Sequence, residues 1–294
     1  MHRIVVGLPA AALALGLALV HGLVATASPI QAQTSRAAAD TVDTSLDSVA
    51  ARVDSILRTD EPEAALDLLD PILADIGPHA ELSWRAARAA VNRGMLLEPR
   101  SEDEARNVYR RAESYAQERI DADSTDARAW EWLAVARGRR SLTEGMRTRA
   151  TLVNGIRAAS EHALRLDSAR AGAHHVLGMW NAEIRRLNTF ERLGAGALGA
   201  DGFGEASWDD AVHHLETATR LAPEGLVHGL ELARIYVDLD RTDDAITELR
   251  RILSLDVREA GDGIVRAEAE ALLEDLGAPE LEPVSDSEGA SLRR

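Results

Sequence analysis

The chain has 294 residues, no cysteine, no lysine and a formal net charge of -16. That charge argues against nucleic acid, which needs a basic stripe, and against an anionic membrane surface as a partner. The missing cysteines exclude a disulfide framework and a thiolate nucleophile. Hydrophobic residues make up 46% but aromatics only 3%, so alanine and leucine must carry the packing, as in closely stacked helices.

Met1-His2-Arg3, the apolar run Ile4 to Ala25 and the small-residue site Ala25-Thr26-Ala27 read as a secretory signal peptide over residues 1–27, with a second cleavage site at Ile30-Gln31-Ala32. The expectation is export, to the periplasm. If the segment is retained, it is long enough to anchor the chain in a bilayer, and membrane association rests on that alone. Residues 28–45, rich in Ser, Thr, Ala and Gln, predict a flexible tether.

From Leu46 onward the apolar residues recur at helical spacing, and no stretch alternates as a strand would. A first hairpin is predicted from Leu46 to Ile76, with Pro62 in a first helical turn and Gly77-Pro78 as the stop. A second runs from Ala80 to Ala122, with a loop at Gly94 to Arg100 and a capping box at Ser101-Glu102-Asp103-Glu104. A third runs from Asp126 to Asp167 around a polar linker, Arg137 to Ala150. The fourth, Ala171 to Ala222, is interrupted by a glycine-rich insert from Leu193 to Gly204 that reads as a flexible loop. The fifth spans Gly225 to Asp256, a helix from Ile264 to Leu276 caps the exposed edge, and residues 277–294 form a disordered tail.

Two of these hairpins carry the spacing of a tetratricopeptide repeat (TPR). Leu232-Ala233, Tyr236, Ala245, Leu249 and Ile252 show it uninterrupted; Leu177-Gly178, Ala211, Leu215, Ala218 and Pro223 show it split by the insert. Such hairpins cannot bury their apolar faces alone and therefore stack. The predicted fold is all-α: an α-α superhelix, a TPR-like solenoid of about five helix hairpins plus a C-terminal capping helix, over residues 46–276.

Several segments resemble the regulator of microtubule dynamics family. Leu82-Ser83-Trp84-Arg85-Ala86-Ala87-Arg88-Ala89 is similar to that family's early LWRLARA segment, and Trp132-Leu133-Ala134 to its W-Y-A segment. His175-Val176-Leu177-Gly178-Met179-Trp180 resembles its HLLGRW segment, Phe190-Glu191-Arg192 its W-x-E-R element, and the insert before Trp208-Asp209-Asp210-Ala211 its layout. The resemblance implies an α-helical repeat fold without catalytic residues. Animal members are associated with microtubules, one of them with lipid binding at membrane contacts.

No other motif carries chemistry as strongly. Gly194-Ala195-Gly196-Ala197-Leu198-Gly199 matches G-x-G-x-x-G, but it follows a helical run where dinucleotide binding needs a strand. The pairs His174-His175 and His213-His214 cannot chelate singly, because neighbours on a helix point about 100° apart; a metal site would need both pairs across the fourth hairpin. No catalytic residue, cofactor or metal is assigned. In a TPR superhelix the first helices line the concave side, which places Trp84, Arg88, Val91, Glu131, Val135, His175, Met179, Leu230, Arg234 and Val237 in the groove, within about one residue of register. Arg88 and Arg234 would anchor a carboxylate or phosphate over an apolar floor. The expected function is non-catalytic: an exported TPR scaffold holding a protein or peptide partner in the groove. The alternative is a lipid carrier, with acyl chains in an apolar groove and an anionic head group on the arginines. Glu131 argues against a continuous apolar lumen.

Overall fold

The computed structural model describes residues 45–59 and 61–278, all helix, turn and coil without a strand. The expected signal peptide, the tether up to residue 44 and the tail from 279 lie outside the described residues. Among the described residues twelve helices follow one another: α1 (45–56), α2 (Pro62–Ile76), α3 (Ser83–Leu97), α4 (Glu102–Ala122), α5 (Ala127–Leu142), α6 (Met146–Leu166), α7 (Ala171–Arg186), α8 (Thr189–Ala197), α9 (Trp208–Leu221), α10 (Leu226–Asp238), α11 (Thr242–Leu253) and α12 (Asp262–Asp275).

Apolar faces at helical spacing pair these into antiparallel hairpins: α3 with α4, α5 with α6, α7 with α9, and α10 with α11. Each second helix also packs on the next first helix, so the hairpins stack. The first helices α3, α5, α7, α10 and α12 touch in succession as well, whereas α4, α6, α9 and α11 form no such row. The row in mutual contact is the inner side of the curve. The superhelix and its capping helix α12 are thus as the sequence implies.

Small residues set the spacing. Alanines at positions 86, 89, 90, 105, 112, 116, 134, 159, 163, 182, 211, 218, 233 and 245 are fully or almost fully buried. Gly178 is a contact point: a Cβ there would lie 2.7 Å from Leu215 Cγ of α9. The large residues cluster in three successive cores, joined by half-buried Tyr115, Trp132 and Val135, which pack on two of them.

Four local expectations are corrected. Gly94 lies inside α3, which runs on to Leu97, because the Tyr109 ring crosses there and only glycine leaves room. The polar stretch after Arg137 is mostly helix: α5 continues to Leu142, Arg140 reaches Glu113 of α4, and the linker shrinks to residues 143–145. The insert is half helix. Asn188 and Glu191 form a complete capping box for α8, which includes Gly194 and Gly196. At Ser101 only half a box exists, since the side chain accepts from the Glu104 N–H while the Ser101 N–H donates to Leu97 O.

Candidate functional site

The inner faces of α3, α5, α7 and α10 hold the expected groove residues, and the structure sorts them into three groups. Val91 and Leu230 are core, 3% and 1% exposed. Glu131 is also buried and serves as a joint: it accepts from Arg170 Nε at 3.0 Å and from the Gly172 N–H at 2.8 Å, tying α5 to the start of α7. These three do not line a groove.

The second group is half-buried but already committed. Trp84 lies under two guanidiniums, Arg85 at 4.3 Å and Arg128 at 5.6 Å. Arg85 is held by Asp54 of α1 and by Glu81, and Glu81 also receives Arg128, whose hydrogen bond with that of Arg85 pulls its carboxyl down to about 2 against the cost of burial. Arg88 meets Glu259 at 2.5 Å. Arg234 meets Glu231 at 2.6 Å and Glu268 of α12 at 2.9 Å. His175 Nδ1 faces His228 Nδ1 of α10 at 3.1 Å, and burial pushes both imidazoles down, His228 to about 4. The two arginines expected as ligand anchors are therefore neutralised within the chain.

The third group, Val135, Met179 and Val237, is half-buried and packs on the edges of the cores. On α10 the more exposed positions fall one residue later than expected, Glu231 after Leu230 and Asp238 after Val237, a rotation of about 100°. Asp238 receives Arg186 of α7 at 2.6 Å. The Asn92 Nδ2 is buried and has no hydrogen-bond partner among the described residues.

One residue that sequence reasoning missed stands out at the middle of this face. Arg139, in the last turn of α5, is half-buried and has no hydrogen bond or ion pair among the described residues. Its charge is felt on three other helices: it lowers His175 on α7, and it opposes the burial that raises Tyr109 on α4 and Glu231 on α10. The arginine was hidden in a stretch whose polarity reads as linker.

The four central histidines do not converge. His174 Nδ1 meets His214 Nδ1 at 2.9 Å while its Nε2 faces Ser168 O, and His175 turns the other way to His228. Among the described residues no group of three or more His, Cys, Asp or Glu could hold a metal. The glycine motif lies on α8 and the turn after it, outside any βαβ unit.

The profile of the family described as "Regulator of microtubule dynamics protein 1-3" matches residues 49–277, most of the chain. The chain belongs to this family. Regulator of microtubule dynamics protein 1 of Bos taurus is 25% identical over 195 residues, covering 66% of this chain and 61% of that protein. Its counterpart in Mus musculus is 23% identical over 232 residues, covering 79% of this chain and 75% of that protein. The chain thus spans about three-fifths of the bovine relative's length. Among solved structures, a thermophilic TPR protein of Thermus thermophilus is similar, with a TM-score of 0.50 and 18% identity, over 72% of this chain and 91% of that one. That likeness shows the fold. The family membership and the TPR-like fold agree with the resemblance read from the segments around Trp84, Trp132 and His175.

Proposed function

We propose that this chain is a non-catalytic adaptor whose inner face holds a polypeptide segment by a carboxylate. The observation that carries the reading is Arg139: on a face where Arg88, Arg186 and Arg234 each have an acidic partner, it has none among the described residues. A half-buried guanidinium without a partner is a planar fork for a carboxylate. Val135 and Met179 on the same face supply apolar contact for the flanking side chains. The same face disfavours an acyl chain, because ion pairs interrupt its apolar residues and leave no continuous lumen. Catalysis has no support here either: the imidazoles face one another, and Glu231 and Asp238 are each bound by an arginine. Export belongs to the same proposal and rests on residues 1–32 alone. The role named for the animal relatives, regulation of microtubule dynamics, is theirs and is not assigned to this chain.

A photo-crosslinking amino acid at position 135, in the protein expressed in its native host, tests the reading. Covalent capture of polypeptide from position 135, and none from the outer-row position 165, is expected. Capture of lipid, or of polypeptide from position 165 alone, would overturn it.

A further inference from the structure

The connection between α11 and α12 meets the other end of the solenoid, and nothing in the repeat pattern requires that. The Ala260 N–H donates to Leu57 O, at the end of α1, at 3.4 Å. Glu259 Oε1 lies 2.5 Å from Arg88 Nη2 on the inner face of α3. Gly261 comes close to Met95: a Cβ on it would stand 3.4 Å from Met95 Cε. Ala260 itself is buried.

The turn is built to hold this shape. Asp262 Oδ2 accepts from the N–H groups of Arg258 and Glu259, both at 2.9 Å, which leaves the Glu259 side chain available to reach Arg88. Gly261 takes the left-handed conformation at φ 91°, where a side chain would be strained. Arg266 of α12 anchors the approach by donating to Leu253 O at 2.9 Å and to Leu255 O. Arg88, Asn92 and Met95 fall on one stripe of α3, within about 60° of one another. The turn covers that stripe at both ends, with the buried, unpartnered Asn92 Nδ2 between them.

We infer that the segment Glu259-Ala260-Gly261 is a clasp that closes the solenoid end to end and occupies the α3 part of the inner face as an internal stand-in for an acidic peptide. Its carboxylate sits on an inner-face arginine, and its backbone N–H pairs with a helix-end carbonyl, the two kinds of contact that a docked acidic peptide can offer. Opening it exposes Arg88 and Asn92 together, a cationic fork beside an amide. A partner segment bearing Glu or Asp next to small residues is the chemistry that competes for them.

Because the chain has no cysteine of its own, the clasp is directly testable in the full-length protein. Because Arg88 and Glu259 meet through the far ends of two long side chains, the double variant Arg88→Cys/Glu259→Cys should be bridged within the chain by a short bis-maleimide crosslinker, while each single variant is only labelled. Glu259→Ala should speed amide hydrogen exchange across residues 258–262 at least tenfold and leave α10 and α11 unchanged. The charge swap Arg88→Glu/Glu259→Arg should restore slow exchange. A double variant that is labelled at both thiols but never bridged, or wild-type exchange in Glu259→Ala, would overturn the clasp. The competition rests on the carboxylate reading above, and it separates cleanly from the clasp. Glu259→Ala should raise capture of polypeptide at position 135, and unchanged capture with an opened clasp would sink the ligand reading alone.

Discussion

Helices α5 and α7 are neighbours in the inner row and are the same length, yet they spend their polar groups differently. On α7, His174 and His175 each face another histidine, Trp180 Nε1 donates to Val153 O, and Asn181 both donates to Leu177 O and accepts from the Ser207 N–H. Gly178 adds a backbone approach to α9 too close for any side chain. On α5, Glu131 is locked into α7's first turn, but the helix ends on a guanidinium without a partner among the described residues. A helix whose inner polar groups are satisfied within the chain, leaving only the exposed Arg185 without a partner among the described residues, is a joint. A helix that leaves a charge unsatisfied at the inner face presents that charge to something else. The contrast predicts that damage to α7 is read in stability and damage at Arg139 in binding.

The largest effect is expected where the two helices meet. Arg170→Met leaves the Glu131 carboxylate buried with only the Gly172 N–H as a strong donor. Removing one partner of a buried charge pair costs about 3 kcal/mol or more. Denaturant unfolding monitored by helix content checks it, and a loss below ~0.5 kcal/mol would mean that Glu131 is not the joint described. Gly178→Val comes next. Its Cβ alone would press on Leu215 and on the Ala211 carbonyl, and overpacking of this kind costs ~1–3 kcal/mol. Gly263→Ala, a helical glycine with open space around it, is the matched control; it should gain up to about 1 kcal/mol.

The α7 joint also has a pH signature. Burial, more than neighbouring charge, lowers His228 and His214 to about 4. Their unfolded value is about 6.5, so below that pH the unfolded chain binds protons that the folded chain refuses. This contribution to stability is complete above pH ~6.5 and is lost as pH falls toward about 4. Each such histidine can contribute a slope of at most ~1.4 kcal/mol per pH unit, and less where water screens it, as at His214. Glu231, raised by burial, acts in the opposite sense and blunts the acid limb. His228→Gln should flatten the limb between pH ~6.5 and ~4. A limb of unchanged slope would remove the His175–His228 pair from the joint.

How much of this the sequence disclosed follows from which interactions are local. The repeat spacing at Leu177-Gly178 and Leu232-Ala233 is a local period, and it led to the stacking and the cap correctly. The inner face was placed one residue early on α10, because a helical apolar stripe is wide enough that Leu230 and Glu231 both satisfy it. Burial alone distinguishes them. The insert's glycines read as a loop, since the cap that starts α8 depends on Asn188 and Glu191 meeting in space. Arg139 and the Glu259 clasp were invisible for a stronger reason. Whether an arginine is paired is decided by residues on other helices, and Arg88 and Arg139 look alike in a single sequence.

The smallest structural effect carries the sharpest functional one. Arg139 has no partner to lose among the described residues, so Arg139→Gln should shift stability by no more than ~0.5 kcal/mol, as a substitution away from packed or paired groups does. Relief of its charge should, if anything, let His175 take up a proton more readily, a change visible in the imidazole resonances. The same variant should cut polypeptide capture at position 135 by at least tenfold, because it removes an inner-face cation left without an acidic partner. Arg139→Lys should recover only part of it, since an ammonium keeps the charge but loses the two-pronged geometry. Full capture by Arg139→Gln would show that the unpaired guanidinium is not the ligand's anchor. Equal capture by lysine and arginine would keep the charge and discard the fork.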